Sequence, residues 1–262
     1  MITVKLSAIL LVATVSVSAQ WLHYPTAGLP RTSDGKVDLA APTPRTKDGK
    51  VDFSGLWLPA NDKFEPTGGP HREFTDVSKG VEGGLPLQPW AADLVKARAA
   101  QNSKDDPDGY CQPLGTVKMH LHPYPRKMVQ TPGLLLILFE RNTEFRQIFT
   151  DGRPLPEDPQ PSFNGYSTAR YEGDTLLVET VGFRDGMWAD ILGTPLTGAA
   201  KVTERFRRPS FGKLEIDVTV DDAKAYTKPW TLTLHQTIAA DTDMLEFVCL
   251  ENEKDDAHLV GK

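Results

Sequence analysis

The feature that most constrains the fold is a succession of short apolar stretches separated by turn signals in the second half of the chain. Clusters such as Glu172-Gly173-Asp174 separate these stretches, and this arrangement is typical of β-hairpins. We predict strands at residues 134–140, 144–150, 166–171, 175–181, 201–207, 213–220, 230–238 and 244–250. Strands joined by successive hairpins form an antiparallel meander, and a sheet of this size tends to close into a barrel because closure removes its unpaired edges.

One main helix is predicted ahead of these strands, at residues 89–102. Pro89 suits the first turn of a helix, and Trp90, Leu94 and Ala97 recur at helical spacing. The chain contains 21 Gly and 21 Pro, which favours many turns and short strands over long helices.

The beginning of the chain has the pattern of an export signal. Lys5 precedes an apolar run at residues 6–17, and Val17-Ser18-Ala19 offers small residues for cleavage. The run is shorter than the ~20 residues that span a bilayer. We therefore expect a signal peptide at residues 1–19, a periplasmic or secreted protein, and no transmembrane segment after cleavage.

An oxidising compartment affects the interpretation of the two cysteines. Cys111 and Cys249 are the only cysteines in the chain, and such a compartment permits a disulfide. We predict that they are bonded, which would stabilise the fold by restricting the unfolded chain. Two separate buried thiols are the alternative.

Residues 20–53 form a Pro-rich segment with an internal repeat. Residues 30–39 are echoed by residues 44–53, and each copy carries an Asp-Gly turn before a short potential strand. Two copies are too few for a solenoid, which needs at least about three. We interpret the segment as an N-terminal strap across a single domain at residues 54–262; a small binding arm is the alternative.

Composition and missing motifs exclude several classes of function. The formal net charge of -6 argues against a nucleic-acid binder or a polybasic membrane anchor. Apolar residues at 39% and charged residues at 24% are ordinary globular values, which excludes wholesale disorder. The sequence has neither a nucleophile elbow nor a phosphate-binding loop, so a conventional serine hydrolase or kinase is not indicated.

Carboxylates within apolar strands are the first candidates for chemistry. Glu179 and Glu204 each lie between apolar residues at a spacing of two, and Glu246 is placed similarly in the last predicted strand. A carboxylate on a dry face is costly unless it is paired. Glu179 or Glu204 is therefore predicted as an acid–base group with His235 as its partner. The alternative is that these acids pair with arginines such as Arg146 on a solvated face.

Histidines provide a second candidate site. His120 and His122 lie on the same side of an extended segment, as metal sites on strands often require, and His235 is a possible third ligand. The neighbouring Pro123 indicates a loop instead. We expect no cofactor, with a divalent metal as the alternative.

Aromatic residues are concentrated in the strands and their connections. Trp188, Tyr166 and Phe206, with Arg146 and Glu246, are the candidates to line a pocket for a small apolar or aromatic molecule. Barrel mouths commonly hold such ligands. Ordinary core packing is the alternative, except that Trp188 lies in a Gly-bounded loop and is placed to cover a cavity mouth.

Two resemblances add to these inferences. Ser54-Gly55-Leu56-Trp57 resembles the Gly-x-Trp opening of lipocalin-type barrels, which implies a lipocalin-like or calycin-like fold. The chain also resembles an uncharacterised family of secreted bacterial proteins, marked by the repeated Pro-Arg-Thr-x-Asp-Gly-Lys segment. Further marks lie at residues 52–57, 111–115, 145–153, 173–180, 203–208 and 224–230. This second resemblance covers nearly the whole mature chain and implies secretion, but no particular activity.

Three functions stay open. The leading hypothesis is a secreted or periplasmic β-barrel protein that binds a small, largely apolar ligand. The second is an enzyme, a lyase, isomerase or hydrolase, that uses carboxylates and a histidine in the same barrel cavity. The third is an interaction protein of the cell envelope that uses its strap against another chain.

Overall fold

A computed structural model describes residues 25–249, so the predicted signal peptide lies outside the described residues. The main helix is α1 (Pro89–Ala100), and a second, short helix is α2 (Thr116–Leu121). The strands are β1 (Gly55–Ala60), β2 (Arg126–Thr131), β3 (Leu134–Phe139), β4 (Glu144–Phe149), β5 (Tyr166–Glu172), β6 (Thr175–Val181), β7 (Met187–Trp188), β8 (Pro195–Leu196), β9 (Lys201–Ser210), β10 (Lys213–Asp221) and β11 (Trp230–Ile238). Within residues 25–249, no helix is both long and apolar enough to cross a membrane.

Nine of the strands close into a barrel in the order β1-β11-β10-β9-β6-β5-β4-β3-β2, with β2 pairing back to β1. The remaining strands, β7 and β8, form a separate hairpin. A mostly β chain with a closed barrel and one main helix is therefore confirmed.

The strand connections differ from the prediction in three places. Residues 244–249 form no strand, and β11 pairs with β1 instead, with Trp57 opposite Ile238. The strands β1 and β2 were not predicted, because Pro59 removes a backbone donor from the first and the second is largely polar. In addition, β4 and β5 are parallel. The long Pro-rich connection at 150–165 allows this crossover, which a hairpin loop does not.

Strand alternation decides what lies inside the barrel. In β10, Leu214, Ile216, Val218 and Val220 are all fully buried, whereas the residues between them are partly exposed. This is the period of two expected when one face of a strand lines a core.

The N-terminal strap lies against the barrel. In its two repeats, Arg31 reaches Asp241, which follows the last barrel strand, and Arg45 reaches Asp174, in the turn between β5 and β6. Phe53, at the end of the second repeat, is fully buried, and its ring contacts the rings of Tyr171 and Phe206. The strap therefore closes the barrel end at which β5 terminates.

Each repeat of the strap uses its glycine in the same way. Gly35 and Gly49 have φ values of +82° and +81°, in the left-handed region that glycine adopts without steric cost. Their carbonyl oxygens accept hydrogen bonds from Arg31 and Arg45 of the same repeats. The Asp-Gly turn thus orients the arginine that holds the strap to the barrel.

The predicted disulfide between Cys111 and Cys249 is confirmed. The two Cα atoms are 5.8 Å apart, and the bond joins positions separated by 138 residues. It links the segment before α2 to the segment after the last barrel strand.

Candidate functional site

The short helix α2 carries polar side chains into the barrel at the end opposite the strap. All six of its residues are buried. The Glu144 carboxylate at the start of β4 accepts hydrogen bonds from the N–H groups of Leu114 and Gly115. Arg126, at the start of β2, donates to the carbonyls of His120 and His122. These bonds hold α2 in place and put the His120 ring inside the barrel.

A buried polar network lies at the centre of the barrel. The Glu204 Oε1 atom is 2.7 Å from His120 Nε2 and 2.9 Å from Arg146 Nη1. Arg146 Nη2 donates to the other oxygen of Glu204 and to the hydroxyls of Ser167 and Thr180. Glu204 and His120 have no exposed surface. The carboxylate is therefore fully neutralised and hydrogen-bonded inside the protein.

The charges of this network follow from its geometry. Burial alone would raise the pKa of Glu204, but the charge of Arg146 and the hydrogen bonds from His120 and Arg146 hold that pKa at about 2. Burial lowers the pKa of His120, although its bond to Glu204 opposes the change. At neutral pH, Glu204 is thus ionised and His120 neutral.

The ionised state of Glu204 determines which nitrogen of His120 carries the proton. An ionised carboxylate only accepts hydrogen bonds, so His120 Nε2 carries the proton and Nδ1 carries a lone pair. Within residues 25–249, this buried Nδ1 atom has no hydrogen-bond partner. His120 is therefore a neutral base whose orientation is set by Glu204.

Arg126 is a second buried charge, next to this network. Its side chain has no exposed surface, and its Nη1 and Nη2 atoms are each 3.0 Å from a carbonyl oxygen of α2 or the residue after it. The Nε atom has no partner within residues 25–249. Burial alone acts on the pKa of Arg126 and lowers it to about 9, so the guanidinium stays charged at neutral pH.

His71 lies beside the same end of α2. Its backbone N–H donates to the carbonyl of Leu121 at 3.2 Å. Burial lowers the pKa of the imidazole to about 3, and the positive charge of Arg126 acts in the same direction. The ring is therefore neutral, and its buried Nε2 atom has no partner within the described residues.

A cavity lies beside one end of the barrel, between the last residue of β1 and the outer face of β11, where Thr233 and His235 alternate with the core-facing Leu232 and Leu234, and we call it the mouth pocket. Its volume is about 380 Å³, within the range of about 300–1,000 Å³ typical of small-molecule sites. It is lined by Ala60, Asn61, Asp62, Thr67, His71, Arg72, Glu73, Thr233 and His235.

The predicted acid–base residues Glu204, Glu179 and His235 do not lie together in the structure. Glu204 lies inside the barrel, but its histidine partner is His120. His235 lies on β11 with its Nε2 atom 3.3 Å from Glu215, and it reaches the mouth pocket rather than the central network. Glu179 is partly exposed and pairs with Arg170 and Lys201 on the outer face.

The outward direction of Glu179 has a simple cause. In β6, Leu176 and Val178 face the core, whereas Leu177 is buried on the outer face. With apolar residues on both faces, the sequence pattern does not define the register, and a shift of one residue reverses every side chain. Glu246, the third acid, is exposed and lies outside any strand.

The predicted ligand-binding residues divide into two groups. Arg146 and Phe206 share the barrel interior with Glu204, and the Phe206 ring lies 5.9 Å from the ring of His120. Trp188 instead forms part of the β7–β8 hairpin, where the guanidinium of Arg98 in α1 lies 4.4 Å from its ring. Tyr166 is 38% exposed on β5.

The predicted metal ligands do not converge. His120 belongs to a helix rather than to an extended segment, and His122 packs its ring against Phe74, with Asp108 at 3.6 Å. Among residues 25–249, no group of three or more His, Cys, Asp or Glu side chains is arranged to hold a metal ion.

Sequence reasoning missed His71 and Arg126. His71 lies in a loop rich in Gly and Pro, where no periodicity gives a direction to its side chain. Arg126 begins a strand whose inward residues alternate with outward ones, so recognition of β2 would have indicated a buried arginine.

Comparison of the chain with protein-family models finds no match, and comparison with curated proteins finds no similar sequence. The function therefore has to be inferred from the geometry of the barrel and its mouth pocket.

Proposed function

We propose that this chain is an exported β-barrel protein that binds a small molecule in the mouth pocket. The observation that carries the proposal is the position of His71, which lines the pocket and keeps a buried Nε2 atom without a protein partner. Buried polar side-chain atoms are hydrogen-bonded in the large majority of cases. A small molecule that enters the pocket and bonds to Nε2 satisfies this atom.

The lining of the mouth pocket indicates what such a molecule contains. Ala60 and the methyl groups of Thr67 and Thr233 offer apolar contacts, while two histidines and three charged side chains offer polar ones. The ligand of this proposal therefore has an apolar body and at least one polar group, since specificity in such sites comes from a few well-placed polar contacts.

Export to the periplasm or beyond is part of the proposal. It is supported by the signal pattern at residues 1–19 and by the Cys111–Cys249 disulfide, because disulfides persist in oxidising compartments. Export predicts that the mature protein begins near Gln20 and lacks free thiols after unfolding without reductant. N-terminal sequencing and thiol labelling of the exported fraction test both.

A lipocalin-like origin of the barrel is a further part of the proposal. Trp57 of the Gly-x-Trp motif is fully buried in the first barrel strand, where its Nε1 atom donates to the carbonyl of Phe53 at 3.1 Å. The guanidinium of Arg208 lies 4.8 Å from the indole ring. The motif thus supports the closed end of the barrel.

Thermal unfolding with a set of small aromatic and aliphatic fragments tests ligand binding. A ligand at 100 times its Kd stabilises the native state by about 2.7 kcal/mol, which raises Tm by about 5–10 °C for a chain of this size. We expect the shift to be lost in His71→Phe and kept in His122→Phe, a buried histidine outside the pocket. If no fragment stabilises the protein, or if His71→Phe responds as the wild type does, the proposal is wrong.

An enzyme that transfers protons is the second candidate. It is favoured by His120, whose Nε2 is held by Glu204 while Nδ1 keeps a lone pair, the arrangement of a base and its orienting group. A hydrolase with a serine nucleophile is less well supported, because Ser167 is bonded to Arg146 and Thr180 rather than to a histidine. A lyase or isomerase fits better.

Turnover separates the two candidates. Any fragment that stabilises the protein is incubated with it and followed by NMR. A binder leaves the fragment unchanged, whereas an enzyme converts it with a rate that falls as His120 is protonated at low pH. The conversion would be lost in His120→Gln.

A further inference from the structure

The barrel strand β3 is apolar on both of its faces. All the residues of Leu134–Phe139 are apolar, and every second one is buried in the barrel core. The residues between them, Leu134, Leu136 and Leu138, face outward and are only partly buried. A continuous apolar run is typical of a strand that is covered on both faces, whereas a strand with one solvated face alternates apolar and polar residues.

The strands on either side of β3 extend this apolar surface. Val129 of β2 lies opposite Leu136, and Phe145 of β4 lies opposite Leu138. Phe145 is 58% exposed. Residues that lie opposite each other in antiparallel strands point to the same face of the sheet. The resulting patch, which we call the outer apolar face, consists of Val129, Leu134, Leu136, Leu138, Phe145 and Phe149.

Other barrel strands present a polar surface to water. On the outer face of β9 and β10, Arg207 is paired with Glu215 and Asp217. Arg205, also on β9, is paired with Glu172. The outer apolar face is therefore a local property of β2, β3 and β4 rather than of the whole barrel. Contiguous exposed apolar patches of this kind mark interaction sites.

We propose that the outer apolar face packs against the same face of a second copy of this chain in a twofold-symmetric dimer. Three strands about 4.8 Å apart, each of about six residues at about 3.3 Å, give a footprint of about 300 Å². A standard stable interface buries about 800 Å² per partner. The dimer is therefore weak, with a Kd on the order of 0.1 mM. It uses none of the residues that line the mouth pocket.

The charges at the rim of the face favour a second copy over a lipid surface. Lys127 is paired with Asp243 at 2.8 Å. Arg153, whose guanidinium lies 3.8 Å from the ring of Phe149, is paired with Asp151. Because each of these charges has a partner of opposite sign, two copies can meet here without unpaired like charges. The rim pairs add no net positive charge to a chain of net charge -6, and an anionic bilayer attracts clusters of Lys and Arg.

Sedimentation velocity at protein concentrations from about 1 µM to about 1 mM measures the association of the disulfide-bonded protein. We expect a monomer at the low end and an increasing share of dimer at the high end. Association should be tighter at high salt, because salt screens the repulsion between two copies of like net charge. Phe145→Glu should weaken the dimer by at least about tenfold, since it places a charge in an apolar interface. Trp90→Glu, the same kind of change at an exposed aromatic residue of α1, should leave it unchanged.

Gln147→Glu is a second variant that does not disturb the core. The side chain of Gln147 is exposed within the face, and the residue lies opposite Leu136, so a carboxylate here should also weaken the dimer. Tryptophan fluorescence checks that each variant is folded. A monomer at every concentration, or a dimer that both variants leave intact, would overturn the proposal. Binding of the monomer to phosphatidylcholine vesicles that is lost in Phe145→Glu would also overturn it, because the face would then contact lipid.

Discussion

Replacing Glu204 by Gln is expected to destabilise the protein strongly. The substitution keeps the shape of the side chain and its contact with His120, but it removes the charge that neutralises the buried Arg146. Breaking a buried ion pair by removing one partner costs about 3–5 kcal/mol, because the other charge is left uncompensated. We therefore expect the free energy of unfolding at pH 7 to fall by about that amount.

The lowered pKa of Glu204 makes the stabilisation by the same interaction depend on pH. The group titrates at about 2 in the folded protein and near its ordinary value of 4.5 in the unfolded chain. This difference corresponds to about 3 kcal/mol of stability. Because the folded-state pKa is the lower one, that stability is fully present above about pH 4.5 and is lost as the pH falls towards 2.

Urea unfolding from pH 7 to pH 2, followed by tryptophan fluorescence, measures both effects. Glu179→Gln is the matched control, because this carboxylate lies on a neighbouring strand but pairs with Arg170 and Lys201 at the surface. Exposed pairs contribute at most about 1 kcal/mol. The difference between wild type and Glu204→Gln should shrink below pH 4.5. If Glu204→Gln is no less stable than Glu179→Gln at pH 7, the structural assignment of Glu204 is wrong.

Three further perturbations have defined outcomes. Reducing the Cys111–Cys249 bond, which spans 138 residues, should lower stability by about 5 kcal/mol in the chain-entropy model; an unchanged Tm with two labelled thiols would contradict this. Phe53→Ala should lower the free energy of unfolding by about 3–5 kcal/mol because the ring is fully buried in the core. Arg45 is partly exposed, so Arg45→Ala should lower it by at most about 1 kcal/mol. Equal values from urea unfolding would show that the strap does not close the barrel through Phe53. The pKa of His71 is about 3 in the folded protein and 6.5 when unperturbed. The stability that depends on neutral His71 should therefore be fully present above about pH 6.5 and decrease as the pH falls towards 3. His71→Phe should remove this part of the pH dependence.

The barrel strands are best predicted where apolar and polar residues alternate regularly and turn-forming residues separate the strands. In β10, four apolar residues on one face and polar residues on the other predict both the strand and its inward side. The β5–β6 hairpin is predicted by its Glu172-Gly173-Asp174 turn. These signals are local, so they survive without knowledge of the partner strand.

The remaining strand pairs depend on contacts between distant segments. The pairing of β1 with β11 joins residues that lie about two-thirds of the chain apart, and neither strand carries a signal that identifies the other. The parallel pair β4–β5 follows from a crossover whose path is decided by packing rather than by a turn motif. Such long-range pairings set the topology but leave little trace in a single sequence.

The candidate site shows the same division. The position of Glu204 between Val202 and Phe206 predicts a carboxylate facing the core. Its partner was assigned wrongly, because His120 reaches it from a helix that the sequence pattern presents as an extended segment. Arg126 and His71 each bond to a carbonyl at the end of that helix, which no spacing in the sequence reveals.

Nitrogen NMR of the imidazole rings during a titration with small molecules tests the central claim most directly. The spectra are recorded on the disulfide-bonded protein with benzoate and benzamide, and the rings are assigned with His71→Phe and His122→Phe. Binding in the mouth pocket predicts a saturable shift of the His71 Nε2 signal with at least one of the two probes, and none for His122. A titration in which His71 does not shift while another site saturates, or in which nothing shifts, would contradict the account.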